Sequence, residues 1–144
     1  MGDLSAADVI TKLRVLILVV DRDPHVRAVE RYFLEDAGYA VEVAADGEEG
    51  LSRTRELLPA IVISEILLPR RDGLSICRAV KEDDVTKHIP VLLFSILSAA
   101  DRALAAGADA FLSKPLDERR LVATIQALLG TEEGGANNET DPQR

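Results

Sequence analysis

A short β-branched run that ends in a single acid constrains the fold more than any other stretch of this chain. Residues 61–64 read Ile-Val-Ile-Ser, Glu65 follows directly, and Pro69 and an Asp72-Gly73 turn come after an apolar segment. Such a run is typical of a buried strand. In open α/β sheets the working sites lie at the carboxyl ends of the strands, so Glu65 is a candidate functional residue.

Strand-like and helix-like segments alternate five times. Residues 15–20 form a continuous apolar run, which predicts a strand covered on both faces. Asp23-Pro24 is a typical helix start, and Gly38 a typical helix end. Further strands are predicted at 39–44, 61–64, 91–94 and 110–112, and further helices at 46–58, from 74, at 99–106 and from 117. The predicted fold class is α/β, a doubly wound five-stranded parallel sheet with helices on both faces.

Composition excludes several classes of function. A net charge of −8 argues against binding to nucleic acid, which requires clustered Lys and Arg. Cys77 is the only cysteine, so no intrachain disulfide can form, and we expect it to be a small buried apolar residue. His25 and His88 stand alone, without zinc-ligand spacing. No segment is apolar enough for a membrane span or a signal peptide, so a cytoplasmic location is expected.

One domain of residues 14–130 is expected within the 144 residues. Residues 1–13 are predicted to be a lead-in, and residues 131–144 a disordered acidic tail. If the chain is complete, this tail leaves no room for a DNA-binding domain.

Polar residues follow the predicted strands at their carboxyl ends. Asp21-Arg22-Asp23 follows the first strand, Glu65 the third, Ser95 the fourth and Lys114 the fifth. Strand ends usually become polar at a surface, but the joint placement indicates one crevice.

At these residues the sequence resembles the receiver domains of two-component response regulators, over about residues 13–130. The resemblance rests on six segments: V-V-D-R-D-P at 19–24, A-D-G at 45–47, E-x-x-x-P-x-x-D-G at 65–73, P-V at 90–91, A-G-A-D at 106–109 and K-P at 114–115. It implies a (βα)5 flavodoxin-like fold and a role in phosphorelay signal transduction rather than as an enzyme.

In that family an aspartate after the third strand accepts a phosphoryl group, and two acids after the first strand organise Mg²⁺. By position, Asp21 matches the first acid, Ser95 the switch hydroxyl, Phe111 the switch aromatic residue and Lys114 the phosphate-binding lysine. Pro115 matches a proline that follows a cis peptide bond in the family.

The departures from the family pattern fall within this site. Glu65 occupies the phosphoacceptor position, and Arg22 replaces the second acid. Ile96 stands where small residues are usual, and the segment between Ser95 and Gly107 is about three residues short, close to one helical turn.

A guanidinium cannot ligate a cation, so Arg22 predicts that Mg²⁺ binding is weak or lost and that the domain has no cofactor. Asp21, Glu65, Arg22 and Lys114 sum to zero charge. We expect Arg22 to substitute for the metal by pairing with Glu65 or Asp21, while Lys114 pairs with the same acids.

Glu65 is one methylene longer than aspartate and is expected to hold Ser95 and Lys114. Three hypotheses remain open: an atypical pseudo-receiver locked in an active-like state, a dead switch acting as a phosphorylation-independent binding module, or retained phosphorylation on Glu65 or elsewhere.

A remote alternative is a D-x-D phosphatase with Asp21 as nucleophile and Asp23 as general acid. That motif is short, and His25 stands where such enzymes carry Thr or Val.

The expected partner is a protein, either a histidine kinase or an output protein, and a weak homodimer is a further option. The receiver resemblance places the contact on the fourth helix, fifth strand and fifth helix. The candidate residues are Arg102, Ala105, Phe111, Arg119 and Arg120.

Overall fold

A computed structural model describes residues 14–130; the predictions for 1–13 and 131–144 lie outside these residues. Five parallel strands form one sheet in the order β2-β1-β3-β4-β5. The strands are β1 Leu16–Val20, β2 Ala40–Ala44, β3 Ile61–Glu65, β4 Val91–Ser95 and β5 Ala110–Ser113. The helices are α1 Pro24–Asp36, α2 Gly47–Leu57, α3 Gly73–Glu82, α4 Ala100–Ala105 and α5 Glu118–Leu129.

Two apolar cores lie on opposite faces of the sheet, because successive side chains of a strand point to opposite faces. Leu18 and Val20 of β1 contact the core beneath α2, α3 and α4. Ile17 and Val19 contact the core beneath α1 and α5. This arrangement confirms the predicted doubly wound α/β fold.

Aspartates start four of the five helices within residues 14–130. Asp23, Asp46, Asp72 and Asp117 each accept a hydrogen bond from a backbone N–H of the first turn. The element boundaries differ from the predicted ones by a few residues. Helix α2, for example, was predicted at 46–58 and spans Gly47–Leu57, and Leu58 follows it in the left-handed conformation with φ of 48°.

Close backbone approaches fix the loop after β3. A Cβ on Gly73 would lie 2.3 Å from the carbonyl oxygen of Glu65, and one on Gly47 would lie 1.7 Å from that of Arg71. Only glycine therefore allows α2 and α3 to begin so close to this loop.

Cys77 is fully buried in the core, as expected, and burial raises the pKa of its thiol to about 11. Within residues 14–130, no helix has the length and apolarity needed to cross a membrane.

Candidate functional site

Lys114 connects two buried acids at the carboxyl edge of the sheet. Its Nζ lies 2.7 Å from Glu65 Oε1 and 3.2 Å from Asp21 Oδ2. Both acids are buried, with Asp21 1 % and Glu65 4 % exposed. Strands β1 and β3 are neighbours in the centre of the sheet, and their connections run to opposite faces, which opens a crevice at this edge. The structure thus brings together three of the five charged residues predicted to converge, Asp21, Glu65 and Lys114.

The remaining oxygens of the two acids are also engaged. Asp21 Oδ1 accepts the backbone N–H of Asp23 at 2.8 Å, and Glu65 Oε2 accepts that of Leu67 at 2.8 Å. Arg27 donates to the carbonyl oxygen of Asp21 at 2.6 Å and holds the turn after β1. All four carboxylate oxygens therefore have a donor within the chain.

The Lys114 ammonium is stabilised in its charged form. Burial alone would lower the pKa of Lys114, but its hydrogen bonds to Glu65 and Asp21 raise it above its usual value. Lys114 Nζ also lies 5.0 Å from the centre of the Phe94 ring, a cation–π contact on the apolar side of the crevice.

Arg22 does not occupy the crevice as expected. It is exposed, and no acid in the described part of the chain forms an ion pair with it. The expected pairing with Glu65 or Asp21 is wrong, because Lys114 already contacts both. Asp23, the second acid of the D-x-D pattern, is exposed and caps α1; its hydrogen bond from the His25 N–H lowers the pKa of its carboxyl.

Neither switch residue forms a hydrogen bond with the acids. Ser95 is buried at the end of β4, and its Oγ has no hydrogen-bond partner in the part of the chain that the structure describes. The expectation that Glu65 holds Ser95 is therefore wrong, since Lys114 and the Leu67 N–H take both oxygens of Glu65. Phe111 is half-buried against the core beneath α4, and the peptide bond before Pro115 is cis, as expected.

The donor set does not fit Mg²⁺ well. Mg²⁺ prefers near-octahedral oxygen ligands that include free carboxylate oxygens. Here Lys114 and backbone N–H groups occupy the carboxylate oxygens of Asp21 and Glu65. Residues 14–130 hold no group of three or more His, Cys, Asp and Glu side chains arranged to bind a metal ion.

Sequence reasoning missed Glu30 and Phe94. Glu30 lies on α1 at 1 % exposure, and neither of its carboxylate oxygens has a hydrogen-bond partner among the described residues. Its position was a signal, because it follows Val26 by four residues and precedes Leu34 by four, which places it on the buried face of the helix. The contact between Phe94 and Lys114 joins β4 to the residue after β5. No local sequence pattern predicts such a contact.

Comparison with known proteins identifies the family. The family model described as "Response regulator receiver domain" matches residues 17–126, well over half of the chain. The transcriptional regulator RpaA of Synechocystis is 34 % identical over 116 residues, which cover 78 % of this chain and 48 % of RpaA. The response regulator Rre1 of Synechocystis is 35 % identical over 127 residues, which cover 85 % of this chain and 55 % of Rre1.

Solved structures agree with these relatives. The chemotaxis response regulator CheY4 of Vibrio cholerae superposes with a TM-score of 0.76 at 30 % identity, over 81 % of this chain and 99 % of CheY4. The receiver domain of a signal transduction histidine kinase from Syntrophus aciditrophicus superposes with a TM-score of 0.73 at 31 % identity, over 88 % of this chain and 98 % of that one. The chain spans about half of the length of RpaA and Rre1. It belongs to the response regulator receiver domain family of two-component signalling.

Proposed function

We propose that this receiver is an atypical one that signals by binding a protein partner, without phosphoryl transfer. The observation that carries the proposal is the state of Glu65. Its carboxylate stands at the phosphoacceptor position with one oxygen on Lys114 and the other on the Leu67 N–H.

Two features of the site oppose phosphoryl transfer. A carboxylate attacks phosphorus through an oxygen lone pair, and transfer needs a cation to neutralise the developing charge. Each oxygen of Glu65 already accepts a hydrogen bond, which makes it a weaker nucleophile, and Lys114 is already neutralised by two acids. Arg22, at the position of the second acid, supplies no ligand for Mg²⁺.

The state of Ser95 favours a disengaged switch over a domain locked in an active-like state. In the receiver mechanism the switch hydroxyl couples the phosphorylated acid to the output face. Here Ser95 has no bond to Glu65, although both residues are buried at neighbouring strand ends. Glu65 therefore does not reproduce the contact that a phosphorylated acid would make.

The partner surface is the face formed by α4, β5 and α5. Arg102, Ala105, Arg119 and Arg120 are exposed there, beside the half-buried Phe111. The expected partner is a cytoplasmic histidine kinase or output protein, and the exposed arginines favour an acidic surface on that partner.

Incubation with Mg²⁺ and acetyl phosphate, read by intact mass, tests the proposal. The wild-type chain should not gain a phosphoryl group. The double variant Arg22→Asp/Glu65→Asp restores both acids and should gain one, which shows that the assay works on this fold. Mg²⁺-dependent phosphorylation of the wild type that disappears in Glu65→Gln would overturn the proposal.

A further inference from the structure

A groove with a buried acid lies beside the crevice, between α1 and the loops after β4 and β5. Its volume is about 460 Å³. The walls are mostly apolar, and Ile96 at the rim is 73 % exposed. The lining includes Val26, Val29, Glu30, Ile96, Lys114 and Leu116. This size is typical of a site for one small molecule.

Among the described residues that line the groove, Glu30 alone is buried, and its carboxyl group has no hydrogen-bond partner within residues 14–130. A buried carboxyl without a partner costs stability. Burial raises the pKa of Glu30 to about 9, and the charge of Asp21 adds to this effect, so the free domain holds Glu30 uncharged at neutral pH. Glu30 thus brings to the wall of the groove two carboxyl oxygens that no group of the described chain uses.

The charges around Glu30 favour a cation. Asp21 and Glu65 each contribute −1 and Lys114 contributes +1, so these three groups have a net charge of −1. Lys114 does not serve as a partner for Glu30, because its ammonium lies between the other two acids. His25 is exposed at the rim, on the first turn of α1.

We propose that this groove binds a small organic cation, a guanidinium or amidinium on a short apolar stem, which pairs with the carboxylate of Glu30. A planar guanidinium or amidinium presents two parallel N–H donors, which match two free carboxylate oxygens. The apolar stem would contact Val26, Val29 and Ile96. The proposal is independent of the loss of phosphoryl transfer.

Titration of the full chain with benzamidine at about pH 7, followed by NMR and calorimetry, tests this inference. We expect a Kd of about 1 mM or tighter, and an affinity about tenfold or more weaker in Glu30→Gln, which keeps the shape and removes the charge. The Glu35→Gln variant, on the exposed side of the same helix, should bind like the wild type. Benzamide, which is uncharged and nearly isosteric, should bind at least about tenfold more weakly than benzamidine.

A wild-type measurement makes the test independent of any folding defect in a variant. Benzamidine should shift the ¹³C resonance of the Glu30 carboxyl from its protonated to its ionised position, with release of a proton. Equal binding of benzamidine and benzamide, unchanged affinity in Glu30→Gln, an unmoved Glu30 resonance or no binding at about 10 mM would each overturn the inference.

Discussion

Lys114 is the residue on which the crevice depends. It joins the ends of β1 and β3 through two buried acids, and without it both carboxylates would lose the one cationic partner they have within residues 14–130. A buried carboxylate without a partner costs far more than an exposed ion pair gains.

Replacing Lys114 with Met should therefore lower the free energy of unfolding by about 3–5 kcal/mol, measured by urea denaturation at neutral pH. Lys87→Met is a matched control, since Lys87 pairs with the exposed Asp84 and the loss of this pair should cost less than about 1 kcal/mol. Equal effects of the two substitutions would show that the Lys114 pairs contribute no more than a surface contact.

Glu30 gives the domain an unusual pH dependence. Its pKa rises from 4.5 in the unfolded chain to about 9 in the folded domain, through burial and the neighbouring Asp21. The folded domain thus keeps a proton on Glu30 at pH values where the unfolded chain has released it. The stability that this proton contributes is complete below the unfolded pKa and is lost as the pH rises towards 9. Asp21, Glu65, Lys114 and His25 are the other titratable groups around it.

Relative to Glu30→Gln, the wild-type domain should lose up to about 1.4 kcal/mol of stability per pH unit between about pH 5 and pH 8. Urea denaturation of both proteins across this range measures the difference in their free energies of unfolding. The contributions of titratable groups that both proteins share cancel in this difference. Glu35→Gln should show no such slope, because Glu35 is exposed and paired with Arg31. A flat difference for Glu30→Gln would mean that Glu30 stays ionised when the domain is folded.

At the scale of elements, Asp109 joins three parts of the fold. Its Oδ2 accepts the backbone N–H of Val91 at the start of β4, at 2.8 Å, and pairs with Lys81 of α3 at 2.9 Å. Its own N–H donates to the carbonyl oxygen of Val91. The side chain of Asp109 thus connects the loop before β5 to the sheet and to α3.

Asp109→Ala should lower the free energy of unfolding by about 1–3 kcal/mol, because it leaves the buried Val91 N–H without an acceptor. Asp109→Asn keeps an acceptor oxygen and should recover part of the loss, whereas Asp84→Ala at an exposed site should cost less than about 0.5 kcal/mol. Thermal denaturation of the three variants measures these differences. If Asp109→Ala lowers the free energy of unfolding no more than Asp84→Ala does, the contacts of the Asp109 side chain do not stabilise the fold.

At the scale of the whole molecule, the fold could be predicted because five apolar segments were separated by Asp, Pro and Gly at the helix ends. The meeting of Asp21, Glu65 and Lys114 followed from parallel strands that end at one edge. The position of the Arg22 side chain outside the crevice could not be predicted, because it depends on how this side chain competes with Lys114 for the same acids. The unpartnered state of Glu30 depends equally on which groups surround the helix.

A ligand stabilises a fold only to the extent that it binds the native state. Because we expect Mg²⁺ to bind this native state weakly, it should stabilise the domain only slightly. At about 10 mM Mg²⁺ and constant ionic strength, we expect the Tm of the wild type to shift by less than about 2 °C, because a Kd near 10 mM contributes only about 0.4 kcal/mol. The Arg22→Asp/Glu65→Asp variant restores the family's acids at both positions, so its Tm should rise by several times that amount under the same conditions. Replacing Mg²⁺ by Na⁺ at equal ionic strength separates specific binding from screening. If Mg²⁺ raises the Tm of the two proteins equally, Asp21 and Glu65 of the wild type readily exchange Lys114 for the metal. The donor set of the wild type would then accept the ion after all.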